Sequence, residues 1–191
     1  MMNKRILLAL ALGASTTVAS AHTGHDTSTL MQGLVHPFGA DHLLAMVAVG
    51  LWSASVLKGA QRAWGPVAFL LGMTAGALAG IGGLAWAGTE LGIALSVLMF
   101  GLMLLAGSKL SARWGLAFVA AAASLHGLAH GAEMPVGASV LAYAAGFLAS
   151  TAALHVAGLG LGQALRQARA GVWRLLALSL SGAGVLLVSR L

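Results

Sequence analysis

The stretch His36-Pro37-Phe38-Gly39-Ala40-Asp41-His42 decides how the chain is read. It sets two imidazoles and a carboxylate at the mouth of an apolar run that continues through Leu43-Leu44-Ala45-Met46-Val47-Ala48-Val49-Gly50. Ionisable groups near a bilayer core are costly, and their default meaning is an ion or substrate path. Proline is tolerated as the first residue of a helix, where its missing N–H would be unpaired anyway. The spacing therefore predicts a helix starting at Pro37, with His36 at the N-cap. Asp41 and His42 then lie on adjoining faces about one turn further in. Gly39 allows a bend or the close approach of another helix. Imidazole nitrogen with carboxylate oxygen suits Ni, Co, Zn, Cu or Fe and does not suit Ca or Mg.

Composition supports a membrane setting. Of 191 residues, 59% are hydrophobic and 7% are charged, and the mean hydropathy is +0.94. Soluble domains carry about 25% charged residues. The absence of cysteine excludes disulfides and thiolate metal sites. The formal net charge is +6, but the basic residues are scattered singly between apolar runs. They read as orientation signals rather than as a phosphate-binding patch, so no nucleic-acid partner is expected.

Residues 1–21 read as a secretory signal. Lys4 and Arg5 form its basic region, Ile6 to Ala14 its apolar region, and Ala19-Ser20-Ala21 its small-x-small cleavage site. Cleavage leaves His22 as the N-terminus; the alternative is an uncleaved first membrane helix. A short polar tail carries His22, His25 and Asp26, which either capture metal with the free amine or form a disordered tail. Residues 22–191 form the membrane domain, an all-α polytopic bundle of six transmembrane helices. The apolar segments fall at about 32–57, 64–87, 90–107, 112–132, 136–162 and 171–189, each near the roughly 20 residues that span the hydrocarbon. Pro66 and Pro135 fall at the starts of the second and fifth segments.

The loop charges orient this bundle. Lys58 and Arg62 lie in the first loop, Lys109 and Arg113 in the third, and Arg166, Arg169 and Arg174 in the fifth, whereas the second and fourth loops have no basic residue. That asymmetry puts the basic loops in the cytoplasm and the N-terminus in the periplasm of a bacterial inner membrane. Gly72, Gly76 and Gly80, and likewise Gly158 and Gly162, repeat every four residues and read as helix-packing faces. Trp52, Trp64, Trp86, Trp114 and Trp173 fall mostly near span ends, as an aromatic belt.

With this topology a second polar cluster reaches the same depth. In His126-Gly127-Leu128-Ala129-His130-Gly131-Ala132-Glu133, the residues His126, His130 and Glu133 share one helical face at the outer end of the fourth span. Glu90 begins the third span on the same side, where the helix dipole favours a carboxylate; it reads equally as a metal ligand or an interfacial helix start. The alternative for the two clusters is a polar network joining helices without metal, an expensive use of so many titratable groups. His155, deeper and alone, reads as a hydrogen-bonded packing residue, and Met46 as a core side chain rather than a thioether ligand.

The runs His36 to Trp52 (HPFGADHLLAMVAVGLW) and His126 to Pro135 (HGLAHGAEMP) resemble the two signature segments of the HupE/UreJ family of nickel/cobalt permeases. The H-x4-D-H element is also shared with the wider nickel/cobalt transporter class. The resemblance covers essentially the whole chain. It implies a permease, not an enzyme, that imports Ni2+ or Co2+ from periplasm to cytoplasm with no permanently bound cofactor. It also implies an indirect link to hydrogenase or urease maturation. By this resemblance His36, Asp41, His42, His126, His130 and Glu133 handle the metal. The expected partners are a transition-metal ion and the lipid bilayer. The rival reading is a membrane-embedded enzyme holding a metal or haem on histidines. His126 and His130 share one helix, however, while bis-histidine haem needs ligands from opposite sides of its ring, and the sequence contains no H-E-x-x-H.

Overall fold

The computed structural model describes residues 29–132 and 139–191. Within them every regular element is helical. Helix α1 (Thr29–Val35) leads through a 3-10 turn (His36–Phe38) into α2 (Ala40–Val56). A second 3-10 turn (Gly59–Ala63) precedes α3 (Trp64–Ile81), which is followed by α4 (Thr89–Ala106). A third such turn (Gly107–Lys109) then leads to α5 (Ala112–Ala132), α6 (Val140–Ala164) and α7 (Ala170–Val188). The expected signal sequence, His22, His25, Asp26, Glu133 and Pro135 lie outside the described residues.

Five helices are long and apolar enough to cross a membrane, and the count becomes six if α1 and α2 form one bent span. The first span is therefore not the single helix expected over 32–57. Its two halves meet at 71°. The helix predicted to start at Pro37 begins instead at Ala40, with Gly39 as its N-cap. Pro37 has no N–H to carry a helix through the elbow, and Gly39 is extended at ψ 141°. Helix α1 is then held against α6 by two glycines. A Cβ at Gly33 would strike the Tyr143 carbonyl, and one at Gly146 would strike the Leu30 carbonyl.

The second span also stops short, at Ile81 rather than near residue 87. Gly83 takes φ 92°, a left-handed conformation that glycine adopts at no steric cost. Leu84 N–H then bonds the Ala79 carbonyl at 3.0 Å, and Gly83 N–H bonds the Gly80 carbonyl at 2.9 Å. This is the Schellman ending of a helix. At the start of α6, the Ser139 hydroxyl accepts from Ala142 N–H at 3.4 Å, one of the helix's otherwise unpaired donors.

Helix α2 is the axis of the bundle and packs against each of α3 to α7. Ala45, Met46, Ala48, Val49, Leu51 and Trp52 along it are buried. Met46 is thus a core side chain, as expected, but Trp52 is not part of an aromatic belt. Its ring fills the space over Gly115 of α5. Trp64, Trp86 and Trp114 are exposed near helix ends, as a belt requires. Leu71, Leu78, Leu141, Val156 and Leu175 face outward, which suits a hydrocarbon solvent.

Small residues set the helix spacing. Gly72, Gly76 and Gly80 of α3 lie against the carbonyls of Ala120, Ser124 and Leu128 of α5, while Gly127 and Gly131 lie against Met73 and Ala77 in return. Van der Waals packing of this kind replaces the hydrophobic effect as the force between helices in lipid. Gly50 and Gly158 bring α2 and α6 together in the same way, with a Gly50 Cβ falling 2.7 Å from the His155 carbonyl. A Cβ at Gly76 would collide with Ser124, whereas nothing lies within 4 Å of one at Gly160. Gly76→Ala is expected to lower the unfolding temperature of the detergent-solubilised protein, the overpacking costing about 1–3 kcal/mol. Gly160→Ala is expected to leave it unchanged or raise it, since alanine is favoured over glycine inside a helix by about 1 kcal/mol. Equal shifts from the two substitutions would contradict the packed α3–α5 face.

Candidate functional site

The elbow, the first turn of α2 and the last two turns of α5 bring four imidazoles into one cluster. The ring centres of His36 and His130 are 4.5 Å apart, those of His130 and His42 are 4.4 Å apart, and those of His42 and His126 are 4.7 Å apart. His126 and His130 point the same way because residues four apart share a helical face. His36 reaches them only because the chain bends between α1 and α2. Tyr143 and Phe147 of α6 complete the wall, with ring centres 5.9 Å and 6.0 Å from that of His36. His42, His126 and His130 are buried, while His36 and Asp41 are half-buried.

Hydrogen bonds decide which nitrogen of each ring carries its proton. Asp41 Oδ1 accepts from the His42 backbone N–H at 2.8 Å and from His42 Nδ1–H at 2.8 Å. In the neutral ring, the form that can ligate a metal, the second bond leaves His42 Nε2 as the lone-pair nitrogen, buried with no partner. The Ser96 hydroxyl donates its one proton to the Ile93 carbonyl at 2.7 Å. Ser96 Oγ, 2.9 Å from His126 Nε2, must then accept from it. His126 is therefore protonated on Nε2, and its bare nitrogen is Nδ1, again buried and unpaired. His130 has neither ring nitrogen bonded.

Each bare buried nitrogen costs about 1–3 kcal/mol relative to a satisfied one. These lone pairs are what a metal ion or a proton donor would take up. The rings pack edge against face, and among the described residues no three such side chains are arranged to hold one ion as they stand. Gly39 matters to the carboxylate, because a Cβ there would fall 3.0 Å from Asp41 Oδ1.

Of the residues singled out in the sequence, the cluster gathers His36, Asp41, His42, His126 and His130. Glu90 stands apart from it. That side chain is exposed in the first turn of α4 and lines a pocket of about 190 Å3 with Thr89, Leu128, Ala129 and Ala132. His155 lies deeper and is fully buried, with Nδ1–H donating to the Thr151 carbonyl at 2.8 Å and Nε2 without a partner. Sequence reasoning missed Ser96, Tyr143 and Phe147. Ser96 is a lone hydroxyl in the apolar run Ile93-Ala94-Leu95-Ser96-Val97, and Tyr143 is the chain's one tyrosine. Those oddities were the available signals.

Comparison with known proteins adds a family. The family model described as HupE / UreJ protein matches residues 9–187. Protein HupE of Rhizobium leguminosarum bv. viciae is 40% identical over 173 residues, which cover 90% of this chain and 89% of that protein. No solved structure matches the chain.

The tautomers are open to direct test by 15N NMR of histidine-labelled protein in detergent. His42 is expected to carry its proton on Nδ1 and His126 on Nε2. Ser96→Ala should mix the His126 tautomers and destabilise the protein by about 1–3 kcal/mol, since it strips a partner from a buried group. A wild-type His126 protonated on Nδ1 would contradict the assigned network.

Proposed function

This chain belongs to the HupE/UreJ family, and from that premise we propose that it is an inner-membrane permease carrying Ni2+ or Co2+ from periplasm to cytoplasm. The observation that supports this reading most is the cluster itself. Imidazoles from two stretches about ninety residues apart meet at one end of the bundle, with lone pairs unspent in a setting where unspent polar atoms are costly. The donor set, neutral nitrogen with a carboxylate beside it, is that of a borderline transition metal.

The orientation rests on the loops. Arg62 donates to the Leu57 carbonyl at 3.1 Å and to Gln163 Oε1 at 3.3 Å, so the basic loop after α2 sits beside the inner end of α6. The histidine cluster is at the opposite end, which faces the periplasm if the basic loops face the cytoplasm. A hydrated cation arriving there meets His36 and the half-exposed carboxylate of Asp41. It exchanges water for imidazole as His36 and His130 turn towards it, beside the bare nitrogens of His42 and His126. These rotations are cheap because the torsion to an sp2 ring is broad. Asp41 acts through His42 in this scheme. By holding Nδ1–H it orients the ring and makes Nε2 a better donor. Glu90, exposed in the first turn of α4, adds negative charge at the same end of the bundle, which raises the local concentration of cations; the resemblance adds Glu133 to the metal-handling residues. Binding of this kind must be strong enough to admit the ion and weak enough to release it. The metal delivered would serve hydrogenase or urease maturation, with none retained as a cofactor.

Uptake of radioactive nickel into cells tests the proposal. Asp41→Asn keeps the shape of the side chain but removes the charge that orients and strengthens His42. It is expected to cut uptake by about 10–100-fold while the protein stays in the membrane, and His42→Ala is expected to abolish uptake. Normal uptake by a stably expressed Asp41→Asn protein would count against the site.

A further inference from the structure

A fifth histidine repeats the half-satisfied pattern of His42 and His126 but lies deeper in the bundle. His155 is fully buried, and its Nδ1–H is held by the Thr151 carbonyl at 2.8 Å. That bond leaves Nε2 as the lone-pair nitrogen, and Nε2 has no partner. A backbone carbonyl on one ring nitrogen is a usual second partner of a metal-ligating histidine, fixing both its tautomer and its orientation. The nearby Thr151 hydroxyl, one helical turn earlier on α6, is also buried without a partner. A side chain that only filled space here would be apolar at less cost, because each unpaired buried nitrogen or hydroxyl weighs against the fold.

The position is continuous with the cluster. His42 touches His126 with ring centres 4.7 Å apart. Phe69 of α3 touches both His126, at 5.7 Å, and His155, at 4.8 Å. Depth along α2 separates the two, because His126 meets the ring of His42 while the His155 carbonyl lies against Gly50, eight residues further along that helix, about 12 Å at 1.5 Å per residue. We propose that His155 is a second, inner binding station for the transition-metal ion, using Nε2 as its ligand atom, which the ion occupies after leaving the outer cluster. This rests on the permease reading given above. Passage across some 30 Å of hydrocarbon is eased by successive weak sites rather than one strong one.

The test separates the inner station from the permease reading. In His155→Asn the side-chain amide replaces Nδ1–H, so the bond to Thr151 can persist while the Nε2 ligand is gone. In His155→Gln the amide reaches the Nε2 position instead. Purified wild-type and variant proteins would be compared for equilibrium Ni2+ binding and for the rate of Ni2+ entry into proteoliposomes. His155→Asn is expected to keep outer-site affinity within about twofold yet lose about tenfold or more in maximal rate, at least the scale seen when a group supporting a metal ligand is removed. His155→Gln should recover part of that rate. Wild-type rate in His155→Asn, beside a wild-type protein that transports, would overturn the inner station alone. A wild-type protein that neither binds nor transports nickel would overturn the permease reading itself. Should His155→Asn fail to fold, H155C offers a second route, because the chain has no other thiol. Cd2+ should then bind that thiolate and add a sulfur-to-metal charge-transfer absorption in the ultraviolet. A spectrum unchanged at saturating Cd2+ would overturn the proposal.

Discussion

In hydrocarbon no water is at hand to complete the hydrogen bonding of a buried polar atom, and the bond between Asp41 and His42 has to be understood under that constraint. The carboxylate sits in the first turn of α2, where the helix dipole favours negative charge, and it takes both the backbone and the ring N–H of the next residue. One acceptor thus fixes the tautomer of His42 and leaves its other nitrogen facing the imidazoles of α5. Ser96 does the same for His126 from α4, with the opposite tautomer. Neighbouring groups therefore prepare each of these rings with one nitrogen engaged and one bare, which is a costly arrangement unless something binds there.

The backbone supplies the rest of the positioning. Glycines bring α3 onto α5, α2 onto α6 and α1 onto α6 at distances that no side chain would allow. Those contacts hold His126 and His130 beside His42, and they hold the elbow of the first span so that His36 closes over the top. Loss of a regular helix at Pro37 and Gly39 is thus part of how the site is built. A straight span would carry His36 along the helix axis and away from His130.

Much of this was legible in the chain. The apolar segments, the basic loops and the glycine repeats follow from composition and spacing alone. The pairing of the H-x4-D-H stretch with His126 and His130 follows from topology, because spans of opposite direction bring their outer ends together. The bend was not legible, since Pro37 is equally at home starting a helix and breaking one. Trp52 was misread because proximity to the end of a span says nothing of which way a ring points, and the small Gly115 that admits it is more than sixty residues away. Ser96 escaped notice because a hydroxyl in an apolar helix usually bonds its own backbone; here it does so and accepts from His126 as well. Glu90 shows the opposite limit, since sharing a depth in the membrane did not bring it into the cluster.

The central claim is that imidazoles from the first span and from α5 bind one ion together. X-ray absorption at the nickel edge of protein loaded with one equivalent of Ni2+ addresses it most directly, because imidazole rings scatter in a pattern that can be counted. The account predicts several imidazoles on the metal in the wild type, with the count falling when His42 is replaced and again, independently, when His130 is replaced. A metal surrounded by oxygen alone, or a histidine count that ignores either substitution, would contradict it.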